Sequence, residues 1–221
     1  MSKTAIIAGS TGLIGSKLLE QLLANTYYSE VKIVVRRPTG IVHQKLKEYV
    51  VDFDKLSNHS QLFEGDVFFS CLGSTKNKTP DKTDYFKIDH DYPLAMAKIC
   101  LQNEVPEIHL ISAVGAKASS ANFYISMKGK IERDIAVLPF RAVHIYRPSM
   151  LTGDRKEKRT MEKIAIGVFK VINPLLIGAL KKYRSINVAD VAKTMATQSL
   201  KSLTGVHFYE SDEIQRIADD K

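Results

Sequence analysis

A doubly wound parallel α/β sheet with a short, mostly helical C-terminal part is the fold this sequence predicts, and three observations predict it. The chain opens on a short apolar, β-branched run, followed at once by Gly9-Ser10-Thr11-Gly12-Leu13-Ile14-Gly15 and then by residues with helical spacing. Six runs of strand character alternate with helical stretches as far as Arg147. One of them, Asp66 to Gly73, is apolar at consecutive positions, as a strand covered on both faces should be.

Thr4 to Ala8 is the first strand. The glycines after it have separate uses: Gly9 for a tight turn, Gly12 for backbone approach to a pyrophosphate, Gly15 for close packing of helix on strand. Their G-x-x-G-x-x-G spacing, taken alone, is also that of a plain flexible β–α turn. The helix that follows runs to about Asn25 and offers unpaired N–H groups and a positive dipole end. Tyr27 to Ser29 is a loop, and Val31 to Val35 a second strand closed by Arg36-Arg37-Pro38. An acidic residue near such a strand end would bind the ribose hydroxyls of NAD, whereas an arginine fork matches a phosphate. Arg36 and Arg37 therefore favour the 2′-phosphate of NADP over NAD, unless they are merely surface arginines.

Tyr49 to Phe53 is the expected third strand, with Asp52 placed to reach an adenine amino group, and Lys55 to Phe63 is a short helix or irregular link. The fourth strand ends in Gly73-Ser74-Thr75, small residues that let a cofactor lie against backbone. Asp84 to about Asn103 is a long helix bent or restarted at Pro93. Glu107 to Ser112 is the fifth strand, Phe123 to about Val137 a helix, and Arg141 to Arg147 the sixth strand, ended by Pro148. Beyond it, Met161 to Val171 and Leu175 to Leu180 read as helical and apolar, and Tyr183 to Ile186 as a short extended segment. Asn187 or Ser185 caps a helix from Val188 to Leu200; Val206 to Tyr209 is a late strand and Ser211 to Ile217 a last helix. Residues 1–221 form one nucleotide-binding domain, on which 151–221 pack as a smaller substrate-side extension.

Composition narrows the function. The chain has 221 residues, 44% hydrophobic and 25% charged, with a net charge of +8 that permits an anionic ligand. Its positive residues are scattered, without the aromatic-interleaved stripe that nucleic-acid binding needs, and the one dense run, Arg155 to Arg159, reads as a solvated loop. Cys71 and Cys100 sit in apolar surroundings, and no His/Cys cluster has metal spacing, so no metal is expected. Lys170 and Asn173-Pro174 interrupt the apolar stretch Ile164 to Leu180, which excludes a transmembrane helix there. No export signal precedes the first strand, and a cytoplasmic location is expected.

The chemistry lies past the fifth strand. Tyr124 and Lys128 stand four apart on a helix and share one face. An ammonium beside a phenol favours the phenolate, so Tyr124 suits proton transfer to or from an alcohol oxygen. Ser112, at the carboxyl end of a parallel strand, can hold a carbonyl oxygen. With a nicotinamide dinucleotide on the glycine turn, these groups fit carbonyl–alcohol interconversion.

Taken together, Gly9 to Gly15, Cys71-Leu72-Gly73-Ser74-Thr75, Ser112, the Tyr124–Lys128 pair and Arg147-Pro148-Ser149-Met150-Leu151-Thr152-Gly153 resemble the short-chain dehydrogenase/reductase superfamily, in its extended or atypical branch. Ser112 to Glu132 and Leu180 to Ala192 are similar to the subgroup of human Tat-interacting protein 30. The resemblance implies that Gly9, Ser10, Thr11, Gly12, Leu13, Ile14 and Gly15 cradle a pyrophosphate, with Arg36 and Arg37 on the 2′-phosphate. Leu72 and Gly73, with Ser74 beside them, would line the adenosine side, and Pro148 and Ser149 the nicotinamide end. Tyr124 would be the acid–base, Lys128 would bind the nicotinamide ribose, and Ser112 would orient substrate. The family often has two adjacent hydroxyl residues after strand five; here the second is Ala113, so either Ser112 carries the role or Ser119 or Ser120 reaches in. The expected function is an NADP-dependent oxidoreductase acting on a small carbonyl or alcohol. A nucleotide-sensing regulatory or protein-interaction module without turnover is the alternative, with a homodimer or a protein partner compatible with either.

Overall fold

The computed structural model describes residues 2–153, 173 and 176–220. In chain order it places β1 Lys3–Ala8, α1 Leu13–Ala24, β2 Tyr28–Val35, β3 Leu46–Val50, a 3₁₀ segment Phe53–Phe63 and β4 Val67–Ser70. Then follow α2 Lys82–Phe86, a π turn Lys87–Asp91, α3 Tyr92–Gln102, β5 Glu107–Ile111, α4 Phe123–Ala136 and β6 Ala142–Arg147. The remainder comprises β7 Leu151–Thr152, a 3₁₀ turn Gly178–Tyr183, β8 Ile186–Asn187, α5 Val188–Gln198, β9 Gly205–Glu210 and α6 Ser211–Asp219.

These strands build the doubly wound parallel sheet, in the order β3-β2-β1-β4-β5-β6-β9, with every pairing parallel. Strand order reverses between β1 and β4, so a crevice opens at their carboxyl ends, where such sheets bind ligands. Alternation divides the core. Ala5, Ile7, Phe69 and Tyr146 face α1, α5 and α6 through Leu18, Leu22, Met195 and Ile214. Ile6, Ala8, Phe68 and Ile145 face the opposite layer through Phe63, Met96, Ile131 and Ile135. Burying each large apolar side chain contributes about 1.5–3 kcal/mol.

The structure differs from expectation in several places. Seven strands join the sheet, because Gly205–Glu210 pairs alongside Ala142–Arg147. The second strand begins at Tyr28, whose fully buried ring and hydroxyl bond to Ser199 Oγ (2.7 Å) draw the expected loop into the sheet. The third strand lies earlier, at Leu46–Val50, in register with Val31–Val35; past it Asp52 accepts a hydrogen bond from Asp54 N and turns the chain into the 3₁₀ segment. The long helix begins at Lys82 and widens into a π turn just before Pro93, which has no N–H to give. Asn187, not Ser185, caps α5, accepting from Ala189 N at 2.9 Å. The expected helix 161–171, the basic run 155–159 and most of the apolar stretch 164–180 lie outside the described residues. Among the described residues no helix is long and apolar enough to cross a membrane.

A polar ladder crosses the core at β5, β6 and β9. His109, His144 and His207 are cross-strand neighbours, and the first two rings stack at 4.3 Å and 9°. Glu107 Oε1 accepts from His109 Nε2 at 2.8 Å and lies 3.4 Å from His144 Nε2, while Lys3 and Arg141 stand 4.0 and 3.5 Å from its other oxygen. Tyr146 and Tyr209 hydroxyls meet the remaining ring nitrogens at 2.9 Å. Three buried groups thus offer ligand atoms within 4.8 Å of one another, a cluster that spacing along the chain did not show, and His109 Nε2 already hydrogen-bonds the carboxylate. Burial pushes the His109 imidazole down to about 4. Desolvation opposes ionisation of Glu107, but the hydrogen bond from His109 and the proximity of His144 and Lys3 outweigh it and hold the carboxyl at about 2. Below an unfolded value near 6.5 the folded chain holds fewer protons than the unfolded one at His109, so stability falls as pH drops from 6.5 to 4; Glu107 adds its loss from 4.5 to 2. Thermal melts should show Tm falling by roughly 5–10 °C between pH 7 and pH 4.5; a flat Tm over that range would contradict the ladder's protonation state.

Candidate active site

The glycine turn is closed by Gly12 N donating to Gly9 O at 3.0 Å. Gly9 sits at φ +85°, and a Cβ there would come within 2.5 Å of the Cys71 carbonyl, across the β1–β4 seam. A Cβ on Gly15 would overlap the Gly9 carbonyl oxygen, so helix and strand meet backbone to backbone. Gly12 has ordinary extended geometry and is the N-cap of α1, with no side chain capping the first turn. Ser10 Oγ is buried beside this turn without a hydrogen-bond partner, and Thr11 is exposed. Leu13 is half-buried; Ile14 and Gly15 are buried. Open N–H groups, an orphaned buried hydroxyl and a cradle that side chains would fill fit the pyrophosphate of a dinucleotide.

Around the crevice, Leu72 packs on the core, Gly73 is exposed, and Ser74 Oγ meets Thr79 Oγ1 at 2.6 Å. Lys128 is buried: its Nζ lies 2.9 Å from Asp89 Oδ1 and donates to the Ile111 carbonyl at 3.4 Å. Burial opposes its charge, but Asp89 and Tyr124 outweigh that and raise its proton affinity. Tyr124, one turn before it on α4, is 37% exposed, so its phenol is open to a ligand. Asn122 caps this helix, accepting from Ile125 N at 3.1 Å, and Gly129 lets α4 close on the 117–118 backbone. Ser112 N donates to Tyr146 O at 2.7 Å, while its buried Oγ has no partner.

The structure therefore gathers the glycine turn, Leu72 to Ser74, Ser112, Tyr124 and Lys128 at one edge of the sheet. The remaining expected residues follow the carboxyl ends of β2, β3 and β6, several of them with contacts of their own. Arg36 and Arg37 are exposed past β2, with the Arg36 guanidinium 6.0 Å from the Phe53 ring. Asp52 serves as a cap, with Lys55 3.8 Å away. Pro148 is buried and accepts from Val114 N at 3.0 Å; Ser149 Oγ donates to the Arg184 carbonyl. Asp89 and Tyr85 are absent from the expected set. Nothing in the sequence separates Asp89 from Asp84 or Asp91; its burial is a product of the π turn.

The family described as NAD dependent epimerase/dehydratase matches residues 5–204. The chain belongs to that family. It is 32% identical over 168 residues to rat protein HTATIP2, covering 74% of this chain and 69% of that protein. It is 30% identical over 214 residues to the mitochondrial protein FMP52 of Eremothecium gossypii, covering 95% of each. These relatives agree with the resemblance to the Tat-interacting protein 30 subgroup. Among solved structures, Bordetella bronchiseptica WbmH in complex with NAD+ superposes with a TM-score of 0.71 at 16% identity, over 99% of this chain and 80% of that one. Thermus thermophilus UDP-glucose 4-epimerase with NAD gives 0.68 at 18% identity, over 98% and 82%. Family and fold mark an NAD-dependent enzyme of the oxidoreductase/epimerase kind.

Two expectations are corrected. WbmH and the Thermus thermophilus epimerase, which share the fold, are bound to NAD, which overturns the NADP preference drawn from Arg36 and Arg37; a guanidinium at a strand end need not select a phosphate, and Arg36 lies near an aromatic ring. Relatives matched over nine tenths of the chain are mitochondrial proteins, which overturns the cytoplasmic location. The turn gives a direct test. Gly15→Ala should lower stability by about 1–3 kcal/mol through backbone overlap, read by denaturant unfolding. Gly12→Val, at a position with permissive φ, should keep the fold and lose NAD binding by calorimetry; unchanged affinity would remove the turn from the site.

Proposed function

We propose that the chain is an NAD-dependent oxidoreductase that interconverts a small carbonyl and its alcohol, with Tyr124 as acid–base. The observation that carries this reading is the buried Lys128 ammonium at the carboxyl end of β5, one helical turn from a half-open phenol and on the edge where α1 presents its uncapped N-terminus. The glycine turn and Ser10 would hold the pyrophosphate, and Leu72 to Ser74 the adenosine side. NAD, when bound, supplies the carbon that accepts or delivers hydride. Ser112 Oγ, buried and unpartnered, would hydrogen-bond the substrate oxygen. Tyr124 would take the proton from an alcohol or return it to a forming alkoxide. Lys128 would keep its charge and steer the ribose and phenol.

The solved relatives bound to UDP-sugars make nucleotide sugars a second substrate class for the same groups. The mitochondrial relatives point to that organelle as the site of action, which a tagged full chain would locate.

The test is a calorimetric titration with NAD and NADH, then a screen of small carbonyls, alcohols and UDP-sugars followed by NADH absorbance and product analysis. NAD should bind, and Tyr124→Phe should lower turnover at least ~100-fold while leaving NAD affinity within about twofold. Full turnover in Tyr124→Phe would remove the tyrosine from the mechanism. Binding without turnover on every substrate would favour a nucleotide sensor.

A further inference from the structure

We propose that Asp89 is a positioning residue: it holds Lys128 against the β4 and β5 ends and, by balancing the ammonium, governs how readily the Tyr124 phenol gives up its proton. The inference rests on the proposed role of Tyr124.

The π turn Lys87–Asp91 carries a carboxylate into the interior, leaving Asp89 1% exposed. Such turns are uncommon and recur at functional sites. A buried carboxylate needs compensation, and Asp89 finds it on two other elements. Its Oδ2 accepts from Ser74 N at 2.7 Å, past the end of β4. Its Oδ1 stands 2.9 Å from Lys128 Nζ on α4. Gly73 leaves space over the pair: a Cβ there would lie 3.4 Å from Oδ1 and 4.0 Å from Nζ. Asp89 thus joins the turn expected to line the adenosine side to the lysine expected at the ribose.

The other groups facing the pair leave this balance in place. On α4, Glu132 is occupied by Arg147, whose NH2 donates to it at 2.6 Å. From α2, Tyr85 donates to the Ser74 carbonyl at 3.2 Å, and its ring lies 6.4 Å from that of Tyr124. From β5 only the Ile111 carbonyl reaches Lys128, at 3.4 Å. Asp89, Lys128 and a neutral Tyr124 together carry no net charge. The first proton lost from the set leaves it negative in a poorly solvated place. With the carboxylate neutralised, the set starts positive and the first loss makes it neutral, so the proton leaves more easily. An aspartate here therefore opposes the loss of that proton.

The test is a pH titration of full-length protein carrying ¹³Cζ-tyrosine, with the Tyr124 signal assigned by its loss in Tyr124→Phe. In Asp89→Asn the Tyr124 midpoint should move down by about one pH unit. An unchanged or higher midpoint in a folded Asp89→Asn overturns the proposal. If Asp89→Asn does not fold, two further variants decide. Lys128→Met alone leaves a buried, unpaired carboxylate, whereas Asp89→Asn with Lys128→Met removes both charges. The double variant should melt higher than Lys128→Met; an equal or lower Tm overturns the pairing. Wild-type NAD affinity, measured separately, reports on the proposed function and not on Asp89.

Discussion

Everything at the ligand-binding edge depends on one close approach of backbone, where Gly9 meets the Cys71 carbonyl on one side and Gly15 on the other. Two parallel strand ends and a helix start converge there with no side chain between them. The approach sets α1 so that its uncapped first turn opens on the crevice between β1 and β4. It also leaves Ser10 with a buried hydroxyl that lacks a partner, a cost accepted where a ligand can supply the missing bond.

From that seam outward the two halves of the sheet are stabilised differently. Around β1, β2 and β4 the core is aliphatic and aromatic, with Ile6, Ile7, Ile33, Phe68 and Phe69 fully buried. Across β5, β6 and β9 it is threaded by Glu107, His109, His144, Tyr146 and Tyr209, each bonded to the next strand or its neighbour. Arg147 then clamps the carboxyl end of β6 to Glu132 on α4 and Glu210 at the end of β9. Polar ladders of this kind are stable only in one register, because a shift of one residue would orphan every buried group. Ser112, between β5 and α4, inherits its placement from that register.

At the site the charges are balanced. Lys128 is buried at the carboxyl end of the sheet, and the carboxylate that makes this tolerable comes from a helix irregularity far from it in sequence. A lysine four residues after a tyrosine looks like a device for making phenolate; in the fold its ammonium lies 2.9 Å from Asp89 and is half of a neutral pair.

Periodicity and punctuation in the sequence were enough to determine the strand–turn–helix opening, the parallel alternation through Arg147 and the Tyr124–Lys128 face, because these rest on local contacts within a few residues. The glycine roles at Gly9 and Gly15 were equally legible, since only glycine tolerates such backbone proximity. Tertiary structure alone decided the rest. β9 became a seventh strand because β6 offered an open parallel edge. Tyr28 left its loop because Ser199, 171 residues away, could satisfy its hydroxyl. Asp52 and Ser149 have local and cross-chain partners of their own, and Arg36 has an aromatic neighbour. Sequence shows that a carboxylate or guanidinium exists; what it faces is set by packing, and that is why Asp89 could be found only in the fold.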